Sequence, residues 1–159
     1  MTVKAPAFAK AKGWQLCHSK AFADVYYSLR KEGSRLSRAD PAGFEHHYKA
    51  KILANVIHLI YDEIPSDPNA AKFRQGNTLG PAHRHWRRAK FMQRFRLFFR
   101  FDSATRVIVY GWLNDENTLR KAGSKTDPYA VFLRRLDRGD PPDDWFELLR
   151  DASGALKVK

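Results

Sequence analysis

An alternation of apolar and charged residues between positions 94 and 101 constrains the fold of this chain more than any other feature. Four apolar side chains take every second position: Phe95, Leu97, Phe99 and Phe101. The positions between them hold three arginines and one phenylalanine: Arg94, Arg96, Arg100 and Phe98. A period of two places alternate side chains on opposite faces of a strand. The segment therefore predicts a β-strand with an apolar face toward the core and a basic face away from it.

Two neighbouring segments have the composition of partner strands. In the run that precedes the alternation, Trp86, Arg88 and Lys90 share one face of a predicted strand. The dipeptide Met92-Gln93 between the two strands predicts a tight hairpin turn, although the usual Asn-Gly or Asp-Gly is missing. The run RVIVYGWL at 106–113 is rich in β-branched and aromatic residues, which favours a strand buried on both faces. The sequence thus predicts a three-stranded antiparallel meander.

Helical periodicity flanks this meander on both sides. Residues 13–19 predict an opening strand, and an amphipathic helix follows from residue 22 until Gly33 and the serines after it interrupt the pattern. A second helix is predicted from an Asp40 N-cap to Pro65, and two more follow Asp127 and Pro142. Segregated helices and strands indicate an α+β fold, with the helices on one face of the sheet and the other face open. We expect one domain over 13–150 between a flexible tail at 1–12 and a second tail at 151–159.

The net charge of this 159-residue chain is +12, and most of the excess lies in one segment. Residues 72–106 hold ten basic side chains and one acid, Asp102, whereas residues 107–159 are balanced. A concentrated basic patch points to a polyanionic partner. The single cysteine, Cys17, excludes an internal disulfide. Polar residues interrupt every apolar run, so no membrane span and no signal peptide is predicted. We therefore expect a soluble cytoplasmic protein.

Strand parity places the basic residues of the meander on the face predicted to be open. This face carries five cations: Arg88, Lys90, Arg94, Arg96 and Arg100. Cations bind phosphates and release counterions, and the rings of Trp86 and Phe98 could stack on unpaired bases, so the face is predicted to bind nucleic acid. The alternative is that the arginines only keep the sheet edge soluble and that the two rings pack internally.

RNA carries its own nucleophile, the 2′-hydroxyl, so a basic face could also cleave it. Cleavage requires charge neutralisation at the phosphate and help with proton transfer. Candidate acid–base groups flank the meander: His83, His85, Asp115, Glu116 and Tyr129. His83-x-His85 and the separate pair His46-His47 match no closed zinc site, so neither a metal nor a cofactor is predicted.

Several sequence blocks together resemble the YhaV family of bacterial type II toxins, distant members of the RelE/ParE superfamily. Besides Trp86, Arg88, Lys90 and Phe91, the blocks are FRQGNTLG at 73–80, RFRLFFR at 94–100, GWLNDENTLR at 111–120, KTDPYAVF at 125–132 and RGDPPDDW at 138–145. The resemblance covers about residues 13–150. It implies a RelE-like α+β fold, with two N-terminal helices on a small antiparallel sheet and additional C-terminal helices. The activity it implies is metal-independent, ribosome-linked mRNA cleavage.

The resemblance also assigns residues and a partner. It places the key arginine at Arg88, with Lys90 two residues on and a second arginine at Arg96, and it implies further active-site groups in 114–120. His85, Asp115 and Glu116 remain acid–base candidates. The residues predicted to bind RNA are Trp86, Arg87, Arg94, Phe98, Arg100, Arg120, Lys125 and Tyr129. The implied partner is a PrlF-type antitoxin with an AbrB-like domain. Two alternatives stay open: a non-catalytic RNA- or ribosome-binding protein, and a ParE-like toxin acting on gyrase.

Overall fold

The computed structural model describes residues 5–156, which fold around a mixed five-stranded sheet. The strands are β1 (Ala9–Ala11), β2 (Trp14–His18), β3 (Arg87–Phe91), β4 (Phe95–Asp102) and β5 (Val107–Leu113). Their order across the sheet is β1-β2-β5-β4-β3. The predicted meander is confirmed, since β3 pairs with β4 and β4 with β5, both antiparallel. The sheet is mixed, not purely antiparallel, because β2 lies parallel to β5.

The β3–β4 hairpin fixes the positions of the basic residues. Arg88 lies opposite Phe98, and Lys90 lies opposite Arg96. The chain turns through the three residues 92–94, of which Met92 and Gln93 adopt φ angles of 47° and 64°. Both values lie in the left-handed region, as a tight hairpin turn requires, although neither residue is glycine. The predicted hairpin is therefore present without its usual sequence signal.

The first two long helices cover one face of the sheet. They are α1 (Lys20–Ala39) and α2 (Tyr48–His58), which continues through a π turn at Leu59–Glu63 into the short α3 (Ile64–Ser66). Their apolar residues and the alternate side chains of the strands, including Phe99, form one core. The prediction that α1 stops near Gly33 is wrong. A Cβ at this glycine would lie only 3.0 Å from the Leu53 side chain, so glycine here permits close packing of α2 against α1.

The opposite face of the sheet is also covered, which corrects the prediction of an open face. Helices α4 (Pro128–Asp137) and α5 (Trp145–Leu156) pack there and form a second core with Phe98, Val109 and Trp112. Phe132 of α4 stacks on Phe98 with ring centroids 4.3 Å apart. Both helices have an apolar stripe that must be buried, and the apolar positions on this face accept it. The α+β class is confirmed, with helices on both faces of the sheet.

Parts of both predicted tails are ordered elements. Ala9–Ala11 form β1 within the segment expected to be flexible, and Phe8 stacks on the His18 ring with centroids 4.6 Å apart. Helix α5 extends through Leu156, and Asp151 accepts a hydrogen bond from the backbone N–H of Lys20. The remaining residues of the two tails, 1–4 and 157–159, lie outside the described part of the chain. Within residues 5–156, no helix is long and apolar enough to cross a bilayer.

Burial of Cys17 leads to a testable expectation about its chemistry. The side chain is fully buried in the second core, and burial raises the pKa of the thiol to about 12. Because the thiolate is the reactive form, we expect no alkylation by iodoacetamide at pH 8 in the folded protein and complete alkylation in denaturant. Mass spectrometry would measure both. Rapid labelling of the folded chain would contradict this packing of β2.

Candidate functional site

The hydroxyl group of Tyr129 joins two of the predicted catalytic arginines. The Nε of Arg88 donates a hydrogen bond to this oxygen at 2.9 Å, and the Nε of Arg96 donates a second one at 3.1 Å. Tyr129 lies in the first turn of α4, whose N-cap is Asp127. The cap fixes this turn, because the Asp127 side chain accepts a hydrogen bond from the Tyr129 backbone N–H. Helix α4 thus places the Tyr129 hydroxyl group at the basic face of the hairpin.

Each arginine is anchored through one terminal nitrogen. Nη1 of Arg96 donates to the carbonyl oxygens of Gln93 and Phe95 in the hairpin, and Nη1 of Arg88 donates to the carbonyl of Lys72. The second terminal nitrogen, Nη2, of each arginine makes no hydrogen bond to any residue in the range 5–156. The two guanidinium groups are therefore held in place, and each keeps donor capacity for a ligand.

A third guanidinium lies against the ring of Tyr129. The Cζ of Arg120 is 4.9 Å from the ring centroid, and its Nη1 forms an ion pair with buried Asp127 at 2.7 Å. The carbonyl oxygen of Arg120 accepts a hydrogen bond from Nε of Arg94. Arg120 thus positions the tyrosine, while the exposed Arg94 ties the hairpin to the segment after β5.

The arginine–tyrosine cluster, defined as Arg88, Arg96, Arg120 and Tyr129, lies at the end of the sheet near the hairpin turn. Tyr129 and Arg96 are almost fully buried, at 6% and 7% exposure, whereas Arg88 is half-buried. Exposed Lys90, directly opposite Arg96 on the neighbouring strand, adds a further charge at the rim. The cluster has two arginine forks and a hydroxyl in fixed positions, and this geometry suits a phosphate group.

Trp86 and Phe98 do not present their rings to a ligand. Both side chains are fully buried, in contact with Phe132 of α4 at centroid distances of 5.0 and 4.3 Å. Trp86 also packs over Gly111, where a Cβ would lie 2.4 Å from the indole ring. The prediction of base stacking on these two rings is corrected, because α4 occupies the space that bases would need.

Three other cations predicted to bind RNA lie outside the arginine–tyrosine cluster. The half-buried Arg100 is stacked between Trp86 and Trp145, and burial lowers its pKa despite the nearby acids Asp143 and Asp144. Arg87 is on the opposite face of the sheet, 5.6 Å from the Phe101 ring, where burial, followed by the charge of Arg74, lowers its pKa. Lys125 is exposed in the loop before α4.

Asp115 and Glu116 lie on the side of the sheet covered by α1 and α2. They line a groove of about 290 Å³ together with residues of these helices, including Asp24 and Glu32. Asp115 also closes its own turn, since its carboxylate accepts a hydrogen bond from the Asn117 backbone N–H. The structure does not bring these two acids to the arginine–tyrosine cluster.

His83 and His85 meet a carboxylate that the sequence reasoning did not select. Asp143 Oδ1 lies 2.7 Å from Nε2 of His85 and 3.4 Å from Nδ1 of His83, and it accepts a hydrogen bond from the Trp86 indole at 2.7 Å. Burial opposes ionisation of Asp143, but hydrogen bonds from Trp86 and His85 outweigh it, so its pKa is lowered. The PPDDW block at 141–145 contains this residue, but no local spacing links it to the histidines.

The fold and the arginine–tyrosine cluster together indicate a class of protein. A basic α+β domain that holds two arginines around a tyrosine hydroxyl is equipped to bind the phosphodiester backbone of a nucleic acid. Comparison with known proteins then identifies the family. Residues 16–153 match the family model Toxin_YhaV, described as a toxin with endonuclease activity, of toxin-antitoxin system. The chain belongs to this YhaV family of toxins.

Individual relatives agree with the family assignment. The chain is 41% identical over 144 residues to the protein named Ribonuclease toxin YhaV of Escherichia coli strain K12, and the alignment covers 89% of this chain and 94% of that protein. It is 40% identical, over the same shares of the two chains, to Toxin YhaV of E. coli O6:H1 strain CFT073. No solved structure matches the chain. The family resemblance seen in the sequence is therefore confirmed.

Proposed function

We propose that this toxin is an endoribonuclease that cleaves mRNA and that the arginine–tyrosine cluster, with Lys90, forms its active site. The main support is the Tyr129 hydroxyl, which accepts hydrogen bonds from both Arg88 and Arg96. Two guanidinium groups around one hydroxyl oxygen, beside an exposed lysine, concentrate positive charge and hydrogen-bond donors where a negatively charged scissile phosphate could bind.

In the proposed reaction, the 2′-oxygen attacks the adjacent phosphorus and the P–O5′ bond breaks, which leaves a 2′,3′-cyclic phosphate. Nη2 of Arg88 and Nη2 of Arg96 donate to the non-bridging oxygens, whose charge grows in the transition state. Lys90 adds positive charge at the rim or serves in proton transfer. His85, Asp115 and Glu116 are the candidates that accept the proton of the 2′-hydroxyl, although His85 bonds to Asp143 and both acids lie across the sheet.

Tyr129 has a more specific proposed role, protonation of the leaving 5′-oxygen. A hydroxyl group has two acceptor lone pairs and one donor hydrogen. The lone pairs of Tyr129 already accept from the two arginines, so its hydrogen is free to point toward a ligand. The proton passes from the phenol to the 5′-oxygen as the P–O5′ bond breaks. The two adjacent guanidinium groups stabilise the resulting phenolate.

A cleavage assay on purified protein tests the activity. We expect cleavage of a defined mRNA to continue in EDTA, since no step above needs a metal, and the upstream product to end in a 2′,3′-cyclic phosphate detectable by mass spectrometry. Reactions with and without ribosomes would measure the ribosome dependence that we propose. Intact RNA that is bound in both reactions would favour the non-catalytic binding protein. Inhibition of DNA gyrase without RNA cleavage would favour a ParE-like toxin.

A toxin of this family implies a cognate antitoxin. We propose that this partner is PrlF-type with an AbrB-like DNA-binding domain, and that an acidic antitoxin segment covers the cationic face around Arg88. The concentration of basic residues in 72–106 supports this complementarity. We also propose a RelE-like arrangement of α1 and α2 on the sheet, although two strands precede these helices.

A further inference from the structure

We propose that His83, His85 and Asp143 form a Zn²⁺ site that joins the start of β3 to the turn before α5. One ligand atom from each residue lies within 4.8 Å of the other two. Two imidazole nitrogens and one carboxylate oxygen form a donor set found in zinc enzymes, which leave the fourth position to water. The site is distinct from the arginine–tyrosine cluster, and the only group of the cleavage steps above that it contains is the candidate proton acceptor His85.

The distances are compatible with a metal after a small adjustment. Ligands bound about 2.0–2.1 Å from a tetrahedral Zn²⁺ lie about 3.3 Å apart. The observed separation from Asp143 Oδ1 is 3.4 Å for His83 Nδ1 and 2.7 Å for His85 Nε2. The second separation must lengthen by about 0.6 Å, and the two imidazole ligand atoms, which lie within 4.8 Å of each other, must approach by up to about 1.5 Å. Rotation of the partly exposed side chains can supply both changes. His85 and Asp143 are each 36% exposed and His83 is 18% exposed, so a metal ion can reach the ligands from solvent.

The surrounding residues already hold two of the three ligands, Asp143 and His83. The Trp86 indole N–H donates to Asp143 Oδ1, as an orienting group outside a metal's own ligands commonly does. The carbonyl of His83 accepts a hydrogen bond from the buried Gln75 side chain, and the carbonyl of Asp143 accepts one from Arg100. Preorganised ligands lose little conformational freedom when a metal binds.

The two nearby arginines direct their hydrogen bonds to groups other than the ligand atoms. Arg84 donates to the side chain of Asn77, and the guanidinium of Arg100 is held between two indole rings and bonded to a backbone carbonyl. Within residues 5–156, neither arginine forms an ion pair with the Asp143 carboxylate, although the charges of Arg100 and Asp143 attract each other. The imidazole donors favour Zn²⁺ over Mg²⁺, which prefers oxygen ligands and keeps its waters.

Titration of the metal-free, tag-free full chain with ZnCl2 tests the proposal. We expect one Zn²⁺ to bind per chain by isothermal titration calorimetry, with a rise in Tm that EDTA reverses and that MgCl2 does not reproduce. His85→Ala should lower the affinity by more than the roughly 10- to 100-fold typical of losing a residue that only orients a ligand. Asp143→Asn retains the shape and the hydrogen bond to Trp86, and should lower the affinity as strongly.

The control is the double variant His46→Ala/His47→Ala. These two histidines lie in the exposed turn before α2, where His46 pairs with Glu45 and His47 pairs with Asp40. This variant should bind one Zn²⁺ with unchanged affinity. Loss of binding in the control, retained binding in Asp143→Asn or no stoichiometric binding to the wild-type chain would each overturn the assignment. Circular dichroism of every variant separates loss of the site from loss of the fold.

Discussion

Replacement of Arg88 by alanine is expected to lower RNA cleavage about 100- to 1000-fold and to abolish growth arrest in cells. Removing one donor that stabilises transition-state charge typically costs about 3–4 kcal/mol, which corresponds to this range. The substitution also leaves the Tyr129 hydroxyl with a single guanidinium donor. Initial rates on a defined RNA, measured beside the wild-type protein, give the size of the effect.

Two further variants make this result specific. Arg88→Lys keeps the charge but loses the fork that reaches both Tyr129 and a phosphate, so we expect only partial recovery of cleavage. Arg38→Ala removes an exposed arginine from the last turn of α1, far along the chain from the hairpin, and should cleave at the wild-type rate. The Arg88 assignment would be wrong if Arg88→Ala kept wild-type activity, or if Arg38→Ala were equally impaired.

The fold around Arg88 was predictable where the sequence pattern is local. The alternation at 94–101 identified β4 and the faces of its side chains, and the register of the hairpin confirms that Arg88, Lys90 and Arg96 share a face. The all-buried strand β5 was also predictable, since an apolar run without alternation indicates burial on both faces.

The covering of the second face was not predictable from charge alone. The arginines of β4 indicate a basic, open face, whereas Phe98, Val109 and Trp112 form an apolar surface beneath α4. The burial of Trp86 was not predictable either, because the indole ring packs over Gly111, a residue on β5 that is distant in sequence. Such pairings depend on the tertiary arrangement, and neither residue's local pattern contains them.

The site was predictable in part for the same reason. Strand parity put Arg88 and Arg96 side by side, but the position of Tyr129 between them depends on how α4 crosses the sheet. The Asp143 carboxylate reaches His85 across 58 residues of sequence, so spacing could not indicate that pair. Burial of part of the basic face also concentrates the accessible cations near the hairpin turn, so the surface proposed to bind RNA is smaller than the sequence suggests.

Replacement of Tyr129 by phenylalanine is the sharper test of the mechanism. The substitution removes only the hydroxyl and keeps the ring, which packs edge-on against Phe98 with centroids 5.6 Å apart. General acid catalysis typically contributes about 100- to 10,000-fold, so we expect a loss of kcat in that range with little change in KM. Tyr48→Phe, an exposed tyrosine at the start of α2, is the matched control and should retain full activity.

A modified substrate separates proton donation by Tyr129 from positioning of the arginines. An RNA with sulfur in place of the scissile 5′-oxygen has a leaving group that needs no protonation. If Tyr129 supplies the proton, Tyr129→Phe and the wild-type protein should cleave this substrate at similar rates, whereas Arg88→Ala should stay impaired because phosphate charge still needs neutralisation. An equal defect of Tyr129→Phe on both substrates would exclude it as the acid and restrict its function to holding Arg88 and Arg96 in place.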